Sequence, residues 1–426
     1  MAREILRDTA ITGMMGLAGS LFSYLFLLFL GKSLSPVEFS DFSLVLSSLI
    51  LLSVISMIYN AVVVRFIAYF SSKSQKDKIV TFSKRSLYTI ILFGISLFLL
   101  SVLFDKQVES FFNVNSPFLI PLIGLFILAD FCAIGFGGIL NGLQRFAILG
   151  SARIVQTIVI LGVGVFLVKS GFGVSGALGG LIAGSVVVSI ICFLSFKKSF
   201  FVQPSKIGKA GLPKYLFFAI PIALSLGVLI NADLLIAKYY LPTEEAGLYA
   251  AATVIGVISF FIMISVVRVM FPKVADFSEN GKDSLVLLKE GLQYTLAMTG
   301  ALTLAIVLFP TLASRLLFAK NYLISDLLRW YAPSTFFLSI SSIIVMYLLA
   351  TKKYAVVIPT LCFAIAKILL LLEFHSSAIQ IAQLLFWLNG AMLLLILLFY
   401  KDTVILALRK RKDYFDYTDL LEYYRS

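Results

Sequence analysis

Long apolar runs constrain this chain more than any other feature. Twelve stretches are each long enough for a helix to cross a bilayer, which takes about 20 apolar residues. They lie near residues 9–30, 42–64, 86–104, 118–140, 150–168, 172–196, 215–236, 247–271, 292–313, 331–351, 354–373 and 378–400. Hydrophobic residues make up 60% of the chain and charged residues 13%, against roughly 45–50% and 25% in soluble domains. The sequence therefore predicts an all-α integral membrane protein of about twelve transmembrane helices.

The remaining composition excludes several classes of protein. The three cysteines, Cys132, Cys192 and Cys362, all lie inside apolar runs, and the only histidine is His375. Neither a disulfide framework nor a zinc site is expected from such an arrangement. The connections between apolar runs are about twenty residues long at most, which leaves no room for a soluble catalytic domain of about 50 residues or more. We therefore expect no cofactor, no metal and no enzymatic activity.

The distribution of positive charge predicts an orientation. A net charge of +13 would suggest a nucleic-acid partner in a soluble protein. Here most Lys and Arg residues lie in every second connection between the apolar runs. If both termini are cytoplasmic, 27 of the 35 Lys and Arg residues lie in cytoplasmic segments, as the positive-inside rule requires. The sequence thus predicts a multi-pass protein with both termini inside, and no nucleic-acid partner.

The two halves of the chain resemble each other at a nearly constant offset. Matching segments occur in the same order, at offsets of 206, 207 and 208: Lys32–Glu38 with Lys238–Glu244, Ala68–Ser71 with Ala275–Ser278, and Gly142–Ala147 with Ala350–Ala355. A duplicated six-helix unit explains them. Because six is even, both copies insert in the same orientation, which is an arrangement found in transporters.

The duplication predicts the domain organisation. Residues 1–200 and 201–400 should form two parallel six-helix lobes, related by a pseudo-two-fold axis along the membrane normal. Residues 401–426 should form a basic and aromatic cytoplasmic tail. Within the first lobe, Gly176, Gly180 and Gly184 are spaced four apart, which predicts close packing of their helix against a neighbour.

Several segments resemble one family of membrane proteins. They are Gly31–Ser43, Asn141–Phe146, Asp233 followed by Gly247–Ala251, and Leu316–Tyr322. In their order and spacing the chain resembles the bacterial polysaccharide flippases of the O-antigen type. These belong to the multidrug/oligosaccharidyl-lipid/polysaccharide exporter superfamily.

The resemblance implies a function. The chain would move an oligosaccharide linked to polyprenyl pyrophosphate from the cytoplasmic to the outer leaflet of the bacterial inner membrane, by alternating access, for cell-surface polysaccharide biosynthesis. Its partners would be the lipid-linked substrate, membrane lipids, an H⁺ or Na⁺ counter-ion and polysaccharide polymerases.

Two other functions remain open at this point. One is a multidrug/cation antiporter of the same superfamily, which an acidic cavity would favour. The other is a membrane-embedded glycosyltransferase, polymerase or ligase, which would need a sizeable outer loop with catalytic groups. The carboxylates in the predicted outer loops are well scattered: Glu38, Asp41, Asp105, Glu109, Glu244, Glu245, Asp326 and Glu373.

Three charged residues lie within the apolar runs. A charge at the bilayer centre costs about 2.5–3.5 kcal/mol on insertion scales, so it usually marks a pathway or a partner. Asp130 falls near the midpoint of its run, Lys367 a little outward of the midpoint, and Asp233 about one turn from an outer end. We predict that all three take part in ion coupling. The alternative is a static buried ion pair for Asp130 and Lys367, and a solvated or capping role for Asp233.

Four arginines are candidate substrate ligands. Arg65 and Arg268 end the second and eighth predicted helices on the cytoplasmic side, at near-equivalent positions of the repeat, and Arg145 and Arg153 flank the turn between helices four and five. A guanidinium donates two parallel hydrogen bonds to a phosphate. We predict that these residues bind the pyrophosphate or the sugar; the alternative is that they anchor helix ends at the headgroups.

Overall fold

The fold is all-α. The computed structural model describes residues 22–72, 75–116, 118–143, 145–200, 214–279, 283–318 and 324–409, and every regular element in these ranges is a helix. Ten apolar stretches are long enough to cross a membrane, and two of these, at 147–195 and 243–275, each contain two successive helices. The predicted all-α membrane fold is confirmed. Most of the first predicted run, 9–30, and the tail beyond residue 409 lie outside the described residues.

The described helices fall into two compact units. The first unit contains α1 (Phe22–Ser33), α2 (Pro36–Ser72), α3 (Lys76–Leu103), α4 (Asp105–Phe111), α5 (Leu119–Gly142), α6 (Phe146–Leu167) and α7 (Gly173–Phe200). A π-helical turn at Val168–Phe172 joins α6 to α7. Helix α5 packs against α2, α3 and α7, and α6 lies along α7.

The second unit is built around one buried helix. It contains α8 (Lys214–Tyr240), α9 (Thr243–Gly256), α10 (Ile258–Glu279), α11 (Leu285–Leu308), α12 (Pro310–Leu317), α13 (Ser325–Ala350), α14 (Val357–Glu373), α15 (Ala378–Phe399) and α16 (Lys401–Arg409). Helix α13 packs against α9, α10, α11 and α15 and is buried along most of its length. A 3₁₀ turn at Tyr354–Val356 precedes α14.

Helix α2 is longer than its apolar run predicts, because polar residues cap its first turn. Helix α2 begins at Pro36, six residues before the predicted start. The Glu38 carboxylate accepts hydrogen bonds from the Ser35 backbone N–H (2.9 Å) and hydroxyl (3.0 Å), and the Glu38 backbone N–H donates to the Ser35 hydroxyl (3.3 Å). This is a capping box with proline at the first helical position.

One residue predicted to lie in an outer loop is buried. Asp41 lies in α2, and its carboxylate accepts hydrogen bonds from the backbone N–H of Asn115 (3.0 Å) and from the backbone N–H and hydroxyl of Ser116 (2.8 and 2.7 Å). These bonds fix the segment that leads into α5. Asp41 therefore stabilises the first unit and is not a free outer carboxylate.

The glycines of α7 pack closely, as predicted. A Cβ atom on Gly180 would lie 2.6 Å from the Gly164 Cα atom, and one on Gly184 would lie 3.0 Å from the Gln156 carbonyl oxygen. Such distances leave no room for a side chain, so α6 and α7 meet backbone to backbone. Small residues allow this approach in membrane proteins.

Candidate functional site

A buried ion pair joins α8 to α14 in the second unit. The Lys367 ammonium lies 2.6 Å from Asp233 Oδ1, and both side chains are 1% exposed. The same ammonium donates to the Leu229 carbonyl oxygen, also at 2.6 Å. Lys367 therefore has the partner that a cation at this depth requires. Its partner is Asp233, and Asp130 lies in the other unit.

The alternative role of Asp233, that of a solvated or capping residue, is wrong. The sequence placed this residue one turn from a helix end, because the apolar run stops near residue 236. Helix α8 continues to Tyr240, so Asp233 lies seven residues, or about 10 Å along the axis, from that end. At this position it is completely buried.

Two tyrosines complete the coordination of the Asp233 carboxylate. Tyr249 donates its hydroxyl to Asp233 Oδ2 at 2.6 Å, and Tyr331 donates to the same oxygen at 3.3 Å. The two rings meet edge to face with centroids 5.7 Å apart. A buried ion pair offsets its desolvation only when further hydrogen bonds satisfy the remaining lone pairs. Both carboxylate oxygens of Asp233 meet this condition.

A break between α9 and α10 makes room for Tyr331. The sequence predicted one helix over 247–271, but the chain turns at Val257. A Cβ atom on Gly256 would lie 2.3 Å from Tyr331 Cδ1, so only glycine lets this ring approach. The Thr335 hydroxyl donates to the Gly256 carbonyl oxygen at 2.9 Å, and this bond satisfies a backbone group at the break.

The charged residues of the first unit are arranged differently. Asp130 Oδ1 accepts one hydrogen bond, from the Ser185 hydroxyl of α7 at 3.1 Å, and the residue is only half-buried. Arg153 is exposed, donates to the Gln156 side-chain oxygen at 3.0 Å, and lies close enough to Asp130 to attract it electrostatically. The structure thus brings Asp130 and Arg153 into one neighbourhood, although they were predicted to have separate roles, in ion coupling and in substrate binding.

Arg65 and Arg268 are not at helix ends. Arg65 lies within α2, which continues to Ser72, and Arg268 lies within α10, which continues to Glu279. The expectation that they terminate their helices is wrong, because polar residues extend both helices beyond the apolar runs. Their side chains lie outside the described part of the structure.

Arg145 makes a contact that recurs in the second unit. Its guanidinium donates to the Ser195 carbonyl oxygen at 3.0 Å. Lys353, its counterpart at an offset of 208, donates to the hydroxyl of Thr403 at 3.2 Å. Thr403 is the counterpart of Ser195 at the same offset. A basic residue ahead of one helix thus contacts a later helix in both units.

Sequence reasoning missed the polar neighbours of the ion pair. Tyr249 stands inside a segment that carried the family resemblance, and Tyr331 and Asn389 are polar positions in apolar runs. Each was visible as a polar side chain at membrane depth, but only the fold shows that they converge. Across the described ranges, no three His, Cys, Asp or Glu side chains come close enough together to hold a metal ion.

Solved membrane transporters share this fold. The lipid II flippase MurJ in an inward closed conformation has a TM-score of 0.72 at 17% identity, over 94% of this chain and 90% of that one. An inward-facing multidrug resistance MATE family transporter of the MOP superfamily has a TM-score of 0.68 at 11% identity, over 91% and 95%. A MOP superfamily transporter from Pyrococcus furiosus has a TM-score of 0.58 at 15% identity, over 95% of each chain. The chain has the fold of this class of multi-pass membrane transporters.

Sequence comparison then identifies the family. The family described as polysaccharide biosynthesis protein matches residues 5–278, which is more than half of the chain. The chain belongs to this family, and the resemblance drawn from its short segments is confirmed. No curated protein sequence matches the chain.

Proposed function

We propose that this chain is a flippase that moves a polyprenyl-pyrophosphate-linked oligosaccharide from the cytoplasmic to the outer leaflet of the bacterial inner membrane. The proposal has one main support. The chain belongs to a polysaccharide biosynthesis family and has, over 94% of its length, the fold of a flippase for a lipid-linked substrate. The function is transport by alternating access, with both termini in the cytoplasm and without an enzymatic step.

The physical chemistry of the substrate is consistent with this function, because its head group and its lipid chain need different surroundings. A glycan head group cannot enter hydrocarbon, whereas a polyprenyl chain can stay there throughout. The protein needs to offer only a polar path for the head. Outward movement of the anionic pyrophosphate from a negative interior also gains about 2.3 kcal/mol per charge per 100 mV.

The coupling role belongs, in this proposal, to the charged residues at membrane depth. Asp130 is half-buried and accepts one hydrogen bond, so it can exchange an H⁺ or Na⁺ counter-ion without dismantling a network. Asp233 and Lys367 would contribute by opening and closing their ion pair during the cycle. A static pair is the competing role, and it predicts that an uncharged replacement of both residues supports full transport.

Arg65 and Arg268 are proposed ligands of the pyrophosphate, with Arg145 and Arg153 as further contacts to the head group. Loss of one charged hydrogen-bond partner costs about 1.5–3 kcal/mol, so Arg65→Ala or Arg268→Ala should weaken substrate binding roughly tenfold or more. Arg→Lys should restore binding only in part, because a point charge lacks the bidentate fork. Full complementation by the Arg65→Lys/Arg268→Lys variant would contradict this role.

A chromosomal deletion tests the function directly. We expect loss of surface polysaccharide and accumulation of the complete lipid-linked oligosaccharide on the cytoplasmic face, where a membrane-impermeant glycosidase added to intact spheroplasts cannot cleave it. Cleavage of the accumulated lipid would indicate a polymerase or ligase instead. A truncated oligosaccharide would indicate a glycosyltransferase, and drug sensitivity with normal polysaccharide would indicate a multidrug exporter.

Fusion reporters test the orientation. A reporter placed after Lys214 should be cytoplasmic and one placed near Glu244 should be outside, as the distribution of Lys and Arg predicts. The opposite pattern would contradict both the topology and the direction of transport.

A further inference from the structure

Asn389 of α15 holds one unpaired oxygen inside the second unit. Its amide nitrogen donates to the Ser334 carbonyl oxygen (3.2 Å) and to the Ser334 hydroxyl oxygen (3.0 Å). A carbonyl oxygen can only accept, so this contact fixes which end of the amide is the nitrogen. The other end, Asn389 Oδ1, is buried and has no hydrogen-bond partner among the described residues. Such an atom in a residue that is 2% exposed calls for a partner.

Lys367 supplies a matching donor. An ammonium group has three N–H donors, and the described side chains and backbone offer it two acceptors, Asp233 Oδ1 and the Leu229 carbonyl oxygen. The third N–H has no acceptor within that part of the chain. Lys367 therefore offers one unmet donor, and Asn389 offers one unmet acceptor.

Both groups line the same small cavity. Its polar lining comes from Lys367, Asn389, Ser334, Thr335 and Tyr331, and Leu229 and Leu385 are among its apolar neighbours. The cavity volume is about 10 Å³, and a buried water needs about 10–15 Å³ together with two to four polar partners. The volume and the unmet groups both fit one water molecule.

We propose that this cavity is a binding site for a single water molecule, which accepts a hydrogen bond from Lys367 and donates one to Asn389 Oδ1. The neighbouring ammonium excludes a metal cation, because two positive charges would meet in a low dielectric. The unpaired amide oxygen excludes an anion, because an acceptor facing an anion is repulsive. Water alone can accept from one group and donate to the other.

The water makes Asn389 a positioning residue for the ion pair. Without it, the pair and its two tyrosines join α8, α9, α13 and α14, and Asn389 joins α15 to α13 through Ser334. With it, α15 is also bonded to the Lys367 ammonium, which is then held at all three of its N–H bonds. This consequence rests on the proposed coupling role of the pair, whereas the water site itself does not.

A high-resolution map of the full-length wild-type protein in a lipid nanodisc tests the site. We expect a density peak within hydrogen-bond distance of both Lys367 Nζ and Asn389 Oδ1. The Asn389→Leu variant should lack it, since leucine has a similar size and no acceptor. The matched variant Leu385→Ala, one turn earlier on α15, enlarges the cavity without removing a polar group and should keep the peak. A dry cavity in the wild type, at a resolution that shows other buried waters, would overturn the proposal.

Solid-state NMR of lysine-labelled protein in bilayers provides a second measurement. The Lys367 ¹⁵Nζ resonance is assigned by its absence from Lys367→Met. Magnetisation transfer from water to this nitrogen should be present in wild type and Leu385→Ala and lost in Asn389→Leu, where the resonance should also shift. Undiminished transfer and an unshifted resonance in Asn389→Leu would overturn both the site and the positioning role. Neither readout depends on transport, so a failed deletion test would remove the flippase proposal and leave the water site standing.

Discussion

The two units of this protein share a predicted repeat but differ in the chemistry of their interiors. At the offset of 206 that holds near residue 238, Asp233 corresponds to Leu27, and at the offset of 208 that holds near residue 353, Lys367 corresponds to Val159 and Asn389 to Leu181. These charged and amide residues of the second unit thus correspond to apolar residues in the first. Phe26 is buried, and a Cβ atom on Gly164 of α6 would lie 2.5 Å from its ring. An apolar contact thus joins α1 to α6, where an ion pair joins α8 to α14.

The reverse holds for Asp130. Its counterpart is Phe337 at an offset of 207 and Leu338 at an offset of 208, so the charge in α5 belongs to the first unit alone. Asp130 is half-buried with one hydrogen bond, whereas Asp233 is completely buried with three donors on its carboxylate. A carboxylate that is satisfied on every side resists a change of charge more than one that accepts a single hydrogen bond. The comparison shows that a helical unit can be held together either by a buried ion pair, as in the second unit, or by an apolar contact, as in the first.

The largest effect on stability is expected when the ion pair is broken. Lys367→Met leaves Asp233 buried without its cation, which should lower the free energy of unfolding by about 3–5 kcal/mol, measured by denaturant titration in bicelles. The double variant Asp233→Asn/Lys367→Met should recover most of this loss, because no charge is then left unpaired. Stability that is unaffected in Lys367→Met would show that the pair is open in the membrane.

The double variant also separates a static pair from a coupling pair. If the pair opens during transport, the double variant should be stable but should export little surface polysaccharide in the deletion strain. Export at the wild-type level would show that the ion pair is static and has no role in coupling.

The second prediction concerns the glycine that admits Tyr331. Gly256→Ala places a methyl group against the Tyr331 ring and should cost about 1–3 kcal/mol of unfolding free energy through overpacking. The matched control is Gly162→Ala in α6, where a Cβ atom would meet nothing within 4 Å. That change should be neutral or should stabilise by up to about 1 kcal/mol. Equal effects of both variants would mean that the approach of Tyr331 does not depend on glycine.

The third prediction sharpens the contrast at Asp130. Asp130→Asn keeps an acceptor for Ser185, so we expect a stability change of at most about 1 kcal/mol together with a clear loss of polysaccharide export. Asp105→Asn, in the first turn of α4, is the matched carboxylate and should export normally. Mild and equal effects of the two variants on export would identify Asp130 as a structural residue.

The smallest effect is expected at a surface pair. Asp326 and Arg329 lie 3.1 Å apart at side-chain exposures of 77% and 57%. Exposed pairs of this kind contribute about 0–1 kcal/mol. Asp326→Asn should therefore change neither stability nor export measurably, and a large effect would reveal a contact that the exposed pair does not explain.

Much of the fold follows from the sequence, because the requirements of a bilayer are local. A run of about 20 apolar residues must be helical, since hydrocarbon offers no partners for backbone groups. The glycines of α7 also predict close packing from the sequence alone, because small residues let helix backbones approach each other. The helix ends were predicted less well, because capping by residues such as Ser35 and Glu38 depends on side chains outside the apolar run.

The sequence by itself therefore determined the class of fold, the positions of the helices and the candidate charges. Only the tertiary structure decided which charges are paired. Asp233 and Lys367 are 134 positions apart, and hydrophobic periodicity contains no information on contacts at such separations. The depth of Asp233 was equally beyond the sequence, because burial depends on the neighbours that a helix acquires in the folded unit. Tyr249, Tyr331 and Lys367 come from three other helices, and only their convergence satisfies the Asp233 carboxylate inside the protein.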